Sequence, residues 1–123
     1  MTRKLILAAL VLAAPLGAAS ALAQDAAKGK QLYEANCARC HAVTNQAGTG
    51  PGLAGVVGRK SGDTADFAYS RAMRRADLTW SDQTLEEYLS DPVGRVPGNK
   101  MPYSGLPTPA ERADVIAYLK TLK

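Results

Sequence analysis

Apolar residues follow two different schedules along this chain. From Leu5 to Leu22 there is no charge at all. Beyond Gln24 they come singly or in pairs at helical spacing, between long stretches dense in Gly and Pro. Asp25 stands where a helix cap would, before a segment from about Ala26 to Asn36 with Leu32 and Tyr33 on its inner side. Gly29 inside that segment lowers helix propensity by about 1 kcal/mol relative to Ala, which a close helix–helix crossing would offset. Arg71 to Ala76 reads as a short helix. Ser81 caps a better one, about Asp82 to Ser90, whose Leu85, Tyr88 and Leu89 share a face until Asp91-Pro92 ends it. Thr108-Pro109-Ala110-Glu111 is a capping box with Pro at the first helical position. It opens a terminal helix to about Leu122, with Val115, Leu119 and Leu122 on one side and Tyr118 beside them. Residues 42–62 hold seven glycines or prolines at Gly48, Gly50, Pro51, Gly52, Gly55, Gly58 and Gly62, and predict irregular backbone wrapped against something flat. Val93 to Pro107 reads as loop, stiffened by its prolines. The pattern predicts an all-α fold of four to five helices with long structured loops.

The charge-free start belongs to a different unit. Arg3 and Lys4 precede the apolar run Leu5 to Ala14, Pro15 and Gly17 break it, and Ala21-Leu22-Ala23 supplies the small-x-small pattern that signal peptidase reads. Leu5 to Leu22 reaches only the minimum length of a membrane span and is Ala-rich with a central Pro and Gly. Residues 1–23 are therefore expected to be a cleaved Sec signal and 24–123 a single exported, periplasmic domain. Cleavage removes two basic residues and leaves 13 against 11 acidic ones, a formal charge of +2. No basic run interleaved with aromatics suggests nucleic acid.

All of the chain's Cys and His side chains sit in one pentapeptide, Cys37-Ala38-Arg39-Cys40-His41. Two thiols one helical turn apart can add to the two vinyl groups of a haem edge, and the next residue then lies under the ring, able to ligate the iron. A thioredoxin-like dithiol would open a helix after a strand, and no strand run is near. A structural zinc site needs four ligands and only three exist. A plain disulfide would leave His41 unexplained. Haem c is the preferred reading.

The composition agrees. Leu, Ile, Val and Phe make up only 16 of the 100 residues from Gln24 onward, under the roughly 20% that accompanies disorder when net charge is high. Here net charge is low and the helices are well marked, so something else should fill the middle. A bound haem, large and mostly apolar, would supply the missing interior, and its two propionates would bring the formal charge to about zero.

An iron with His41 on one side has a second axial position to fill. Met73 lies in a predicted helix, where Met is most often core filler. Met101 lies in Pro97-Gly98-Asn99-Lys100-Met101-Pro102, where flanking prolines reduce the entropy of holding one side chain at the iron. Met101 is preferred, with Met73 or an otherwise ligated iron as alternatives. Met/His ligation raises the reduction potential and leaves no vacant position. A haem protein with a labile Met101, open to peroxidase or gas chemistry, is the rival reading, and it lacks a second histidine to act as acid–base group.

Over nearly all of residues 25–123 the chain resembles class I cytochromes c, in particular the mitochondrial and bacterial c2-like branch. The resemblance rests on Gly29 with Tyr33, Cys37-x-x-Cys40-His41, Gly50-Pro51-Gly52-Leu53 running into Gly58-Arg59-Lys60, Phe67-Ala68-Tyr69 and Leu78-Thr79-Trp80. Glu87-Tyr88-Leu89, Pro97-Gly98-Asn99-Lys100-Met101 and Tyr118-Leu119 complete the order. It implies that the Pro51 carbonyl accepts the His41 ring N–H, and that Tyr69 and Trp80 hydrogen-bond a buried propionate with Arg59 close by. It implies further that Tyr88 approaches the Met101 sulfur and that Gly29 and Tyr33 cross the terminal helix near Tyr118. Asn99 replaces the family's usual threonine and is expected to donate to a propionate. Met73 stands where close relatives carry an asparagine. The lysine-rich stretches around the haem edge are largely missing: Arg39 and Lys100 remain as edge charges, and Arg71, Arg74 and Arg75 form a separate group. The implied function is that of a monomeric electron carrier, not an enzyme. It would accept electrons from a bc1-type complex and donate to an oxidase, reductase or photosynthetic reaction centre, touching membrane complexes only peripherally.

The shortage of aliphatics generates a first prediction. A haem-free chain carrying Cys37→Ser and Cys40→Ser should be largely unfolded and show no cooperative thermal transition by circular dichroism; a sharp transition would contradict it.

Overall fold

The structure, a computed structural model, describes residues 24–123; the signal segment expected at 1–23 lies outside the described residues. Five helices follow one another: α1 (Ala26–Asn36), α2 (Arg71–Arg75), α3 (Asp82–Ser90), α4 (Pro92–Arg95) and α5 (Pro109–Leu119). Among the described residues there is no strand, only one antiparallel bridge between Lys60 and Thr79, and no helix long and apolar enough to cross a membrane.

The helix starts follow from local chemistry. Asp25 accepts the amides of Ala27 and Lys28 at 2.9 and 3.1 Å, filling donors that have no partner inside α1. Ser81 with Thr84, and Thr108 with Glu111, form reciprocal capping boxes at α3 and α5.

The crossing of α1 with α5 is the largest helix–helix contact. At its centre is Gly29, buried so closely that a Cβ there would lie 1.9 Å from the Asp114 carbonyl oxygen. The Asp25 amide also donates to the Asp114 carboxylate at 2.9 Å. One turn on, Tyr33 is 1% exposed, its ring centroid 5.3 Å from that of Tyr118. Helix α3 packs against α5, and α4 against α3. Leu85, Tyr88, Leu89, Val115, Ile116 and Leu119 join Tyr33, Met73 and Trp80 in one core.

Two features depart from expectation. Residues 92–95, expected as loop, form α4: Asp91-Pro92, which ends α3, also supplies a cap and a first-turn proline. The Asp91 carboxylate accepts the Gly94 amide at 3.0 Å. Helix α5 stops at Leu119 rather than Leu122. The last residues turn, and the Leu122 carbonyl accepts the Gly55 amide at 3.0 Å, pinning the Gly/Pro-rich loop to the carboxyl end. Arg112 is 9% exposed inside the fold, where its Nε donates to Glu86 at 2.7 Å and its Nη1 to the Leu106 carbonyl at 2.7 Å. Burial of a charge is tolerated here because it is paired and hydrogen-bonded.

The Gly29 contact sets a second prediction. Gly29→Ala should destabilise the holoprotein by about 3 kcal/mol or more in a denaturant titration. Gly48→Ala, whose Cβ would meet nothing nearer than 4.0 Å, should change stability by less than about 0.5 kcal/mol.

Candidate functional site

The pentapeptide continues directly from α1. Cys37 caps that helix, its amide on the Tyr33 carbonyl at 2.7 Å, and the amides of Cys40 and His41 both return to the Cys37 carbonyl at 3.0 Å. This tight turn keeps both thiols and the imidazole at one end of the helix. The Tyr33 hydroxyl donates to the His41 carbonyl at 2.6 Å, anchoring the turn to the α1–α5 crossing. Both cysteines are free and half-buried. Burial, with Cys40 adding to it, pushes the Cys37 thiol up to about 11. A redox dithiol needs the opposite displacement. Among the described residues no group of three or more His, Cys, Asp or Glu side chains could hold a metal ion.

His41 is oriented by the loop that follows. Its Nδ1 lies 2.8 Å from the Pro51 carbonyl oxygen. A carbonyl can only accept, so Nδ1 carries the proton and Nε2 keeps its lone pair free for a metal. Burial lowers the His41 pKa; the bond to Pro51 works against that shift and the nearby Arg59 adds to it. The neutral imidazole, the form that binds metals, is favoured. The loop approaches closely because Gly50 has no side chain: a Cβ there would fall 2.6 Å from His41 Cε1. Hydrogen bonds from Gly50 to Cys40 (2.8 Å) and from Leu53 to Ala42 (2.9 Å) hold the loop against the turn.

Arg59 and Trp80 lie on adjoining rungs of backbone: the Trp80 amide donates to the Arg59 carbonyl at 2.9 Å, and Gly58 donates to the Trp80 carbonyl at 2.7 Å. The guanidinium gives Nη2 to the Gly52 carbonyl at 3.0 Å and Nη1 to the Ala54 carbonyl at 3.3 Å. Its Nε is buried with no partner. Tyr69, expected beside these two, shares a 2.6 Å hydrogen bond with Thr64. The sequence reading missed Thr64, because a hydroxyl in a loop carries no spacing signal.

The Met101 segment is brought against α3. Tyr88 Oη lies 3.9 Å from the Met101 sulfur and 3.5 Å from Asn99 Oδ1, with the Trp80 ring 5.1 Å from the Tyr88 ring. Burial pushes the Tyr88 hydroxyl up to about 12, so it remains a donor at neutral pH. Met73, by contrast, is 9% exposed within the core cluster. Asn99 departs from expectation. Both of its amide hydrogens go to carbonyls, of Pro92 at 2.9 Å and Val96 at 3.0 Å, which leaves none for a propionate. Lys100, expected as a charge at the edge, donates to the Ala68 carbonyl and lies 4.9 Å over the Phe67 ring.

These residues fit a covalently held haem. Two thiols stand beside a correctly tautomerised imidazole, a thioether stands in a separate loop, and a buried cationic N–H lacks an acceptor that a carboxylate would provide. Around them Leu53, Val57, Tyr69 and Met101 are only partly buried against the core, as residues awaiting a large apolar neighbour would be.

Comparison with known proteins agrees. The family model for cytochrome c matches residues 26–123. The chain is 49% identical over 104 residues to the cytochrome c of Chlamydomonas reinhardtii, covering 83% of this chain and 93% of that one. It is 52% identical over 87 residues to cytochrome c2 iso-2 of Magnetospirillum fulvum, covering 70% and 91%. Among solved structures, cytochrome cH from Methylobacterium extorquens superposes with a TM-score of 0.75 at 44% identity, over 79% of this chain and 98% of that one.

A third prediction follows from the contact of Gly50 with His41. Gly50→Ala should lower holoprotein stability by about 1–3 kcal/mol and, by NMR, expose the His41 Nδ1 proton to solvent exchange. An unchanged, protected proton would show that the ring does not depend on this contact.

Proposed function

The chain belongs to the cytochrome c family, and we propose that within it this protein is a soluble periplasmic one-electron carrier whose iron is held between His41 and Met101. As a class I cytochrome c it is an electron-transfer protein and carries haem c covalently through Cys37 and Cys40. Haem c, when bound, supplies a reversible one-electron couple between Fe(III) and Fe(II).

The chain's own residues then have distinct tasks. Cys37 and Cys40 fix the group at the end of α1. His41 offers Nε2, and the Pro51 carbonyl holds its ring in that tautomer. Met101 offers its sulfur from the opposite loop, with the Tyr88 hydroxyl directed at it. Arg59, with Trp80 and Tyr69, would receive a propionate, whose negative charge would offset the buried guanidinium. With His41 and Met101 both holding the iron, no site would remain for a substrate or for oxygen.

The observation that carries this reading is the contrast between the two methionines. Met101 stands in a loop with a hydroxyl 3.9 Å from its sulfur, whereas Met73 is packed into the core on α2.

Location and partners follow from weaker signals. The charge-free apolar start and its Ala21-Leu22-Ala23 site support cleavage after Ala23, leaving residues 24–123 as a monomeric periplasmic domain. Its donor would be a bc1-type complex or similar. Its acceptor would be a terminal oxidase, a reductase or a photosynthetic reaction centre, met only at the membrane surface.

One preparation tests the whole reading. The purified protein should have an intact mass beginning at Gln24 with one haem added, and the oxidised form should show a sulfur-to-iron charge-transfer band. Met101→Ala should abolish that band and Met73→Ala should keep it; the reverse would overturn the ligand assignment. Ready binding of CO by the reduced protein at neutral pH would overturn the carrier assignment.

A further inference from the structure

We propose that Asn99 is a positioning residue that latches the Met101 segment to the carbonyl end of α4 and so governs how readily Met101 leaves the iron. The proposal rests on the reading of Met101 as the second axial ligand.

Three of the four hydrogen-bonding positions of the Asn99 side chain are filled at 2.9 to 3.0 Å, and the fourth lies within reach of the Tyr88 hydroxyl. Nδ2 donates to the carbonyls of Pro92 (2.9 Å) and Val96 (3.0 Å). Oδ1 accepts the Met101 amide at 2.9 Å and lies 3.5 Å from the Tyr88 hydroxyl. The amide cannot be turned over, because its oxygen would then face two carbonyls and its nitrogen an N–H. One side chain thus ties α4, α3 and the Met101 backbone together.

The ties matter because α4 has little of its own. Four residues make about one turn, far below the length at which a helix is stable alone. A helix end leaves carbonyls without intrahelical partners. Asp91 caps the start of α4 through the Gly94 amide, and Asn99 closes its end. The Asn99 backbone amide adds a bond to the Val96 carbonyl at 3.0 Å. When the latch opens, the Pro92 and Val96 carbonyls keep their backbone amides but each lose a second donor, and Met101 loses its amide partner in the same event. The two are therefore coupled.

Tyr88 is drawn into the same device. It has one hydroxyl proton and two acceptors within reach, Asn99 Oδ1 and the Met101 sulfur. Holding Asn99 in place therefore also fixes where that hydroxyl points. A threonine, with one hydroxyl, cannot supply two donors and an acceptor together, and an aspartate of the same shape keeps the acceptor but loses both donors.

A separate tie between α3 and α4 provides a control. Arg95 Nε lies 2.8 Å from Glu87 Oε2 on the surface, and neither residue touches Met101's partners on Asn99.

The test uses the oxidised holoprotein. Imidazole is added at saturating concentration, where the decay of the sulfur-to-iron band reports the rate at which Met101 is released. Asn99→Asp and Asn99→Thr should each release Met101 about tenfold faster or more, as expected for losing donor hydrogen bonds that tie the Met101 segment to the Pro92 and Val96 carbonyls. Glu87→Gln should stay within about twofold of the unaltered protein, as befits an exposed pair. Equal acceleration by Glu87→Gln would overturn the proposal, since any loosening of α4 would then suffice.

A second measurement needs no variant. By hydrogen exchange the Asn99 side-chain protons and the Met101 amide should be protected relative to the side chain of exposed Asn45, and exchange at the Asn45 rate would overturn the latch. Should the band vanish in Met73→Ala instead of Met101→Ala, the ligand reading fails and the release half of the proposal with it. Protected Asn99 protons would still establish the latch on α4.

Discussion

The hydrogen bond from the Tyr33 hydroxyl to the His41 carbonyl, 2.6 Å long, joins two things this chain cannot do separately. Its ring lies in the α1–α5 crossing, made close by Gly29, and its oxygen reaches the peptide that takes the haem. Burial, with Cys37 and Tyr118 adding to it, pushes that hydroxyl up to about 12, so the donor persists at any physiological pH. With so few large aliphatics, the fold has its closest helix–helix contact at α1–α5 and an interior that a haem would complete. The bond makes the first a platform for the second.

The two residues proposed as axial ligands are held by different means. His41 is covalently local: it adjoins Cys40, its carbonyl is gripped by Tyr33, and its ring is fixed by Pro51 across a loop that Gly50 allows to approach. Nothing short of unfolding would separate it from the attachment site. Met101 is sixty residues away in a segment without regular structure, and what keeps it near is side-chain chemistry on α3 and α4. Firm placement on both sides suits a carrier, because an iron whose ligands do not move changes oxidation state with little reorganisation. The asymmetry also says which side would yield first.

What was legible in the sequence was what local chemistry decides. The caps at Asp25, Ser81 and Thr108 are satisfied within three residues of themselves, so their helices begin as read. The pentapeptide is likewise self-contained, and Gly29 could be read as a crossing because a glycine inside a helix needs a reason. Residues whose roles depend on distant partners were not legible. Asp91-Pro92 stops one helix and starts another, and the second meaning is hidden because the local cap on Gly94 serves a helix of only four residues with no apolar period to mark it. Arg112 looks like a surface charge until Glu86 and the Leu106 carbonyl close on it. Asn99 was read as a donor to the cofactor, since nothing in Pro-Gly-Asn-Lys-Met reveals that the Pro92 and Val96 carbonyls lie within its reach.

Met73 and Asn99 make more sense together than apart. At position 73 this chain buries a methionine, and at position 99, beside Met101, it has an asparagine. Burying an amide is costly unless each of its groups is paired, and a thioether at 73 removes that demand from the core on α2 while filling the space. At 99 the amide meets two carbonyls and a backbone N–H, with a hydroxyl within reach, so both donors and an acceptor are paired. Polar organisation is thereby concentrated in the segment that carries Met101, while the core around α2 is left apolar. In such an arrangement the hold on Met101, the proposed second ligand, depends on backbone carbonyls at α4 and its cap rather than on a polar network through the core.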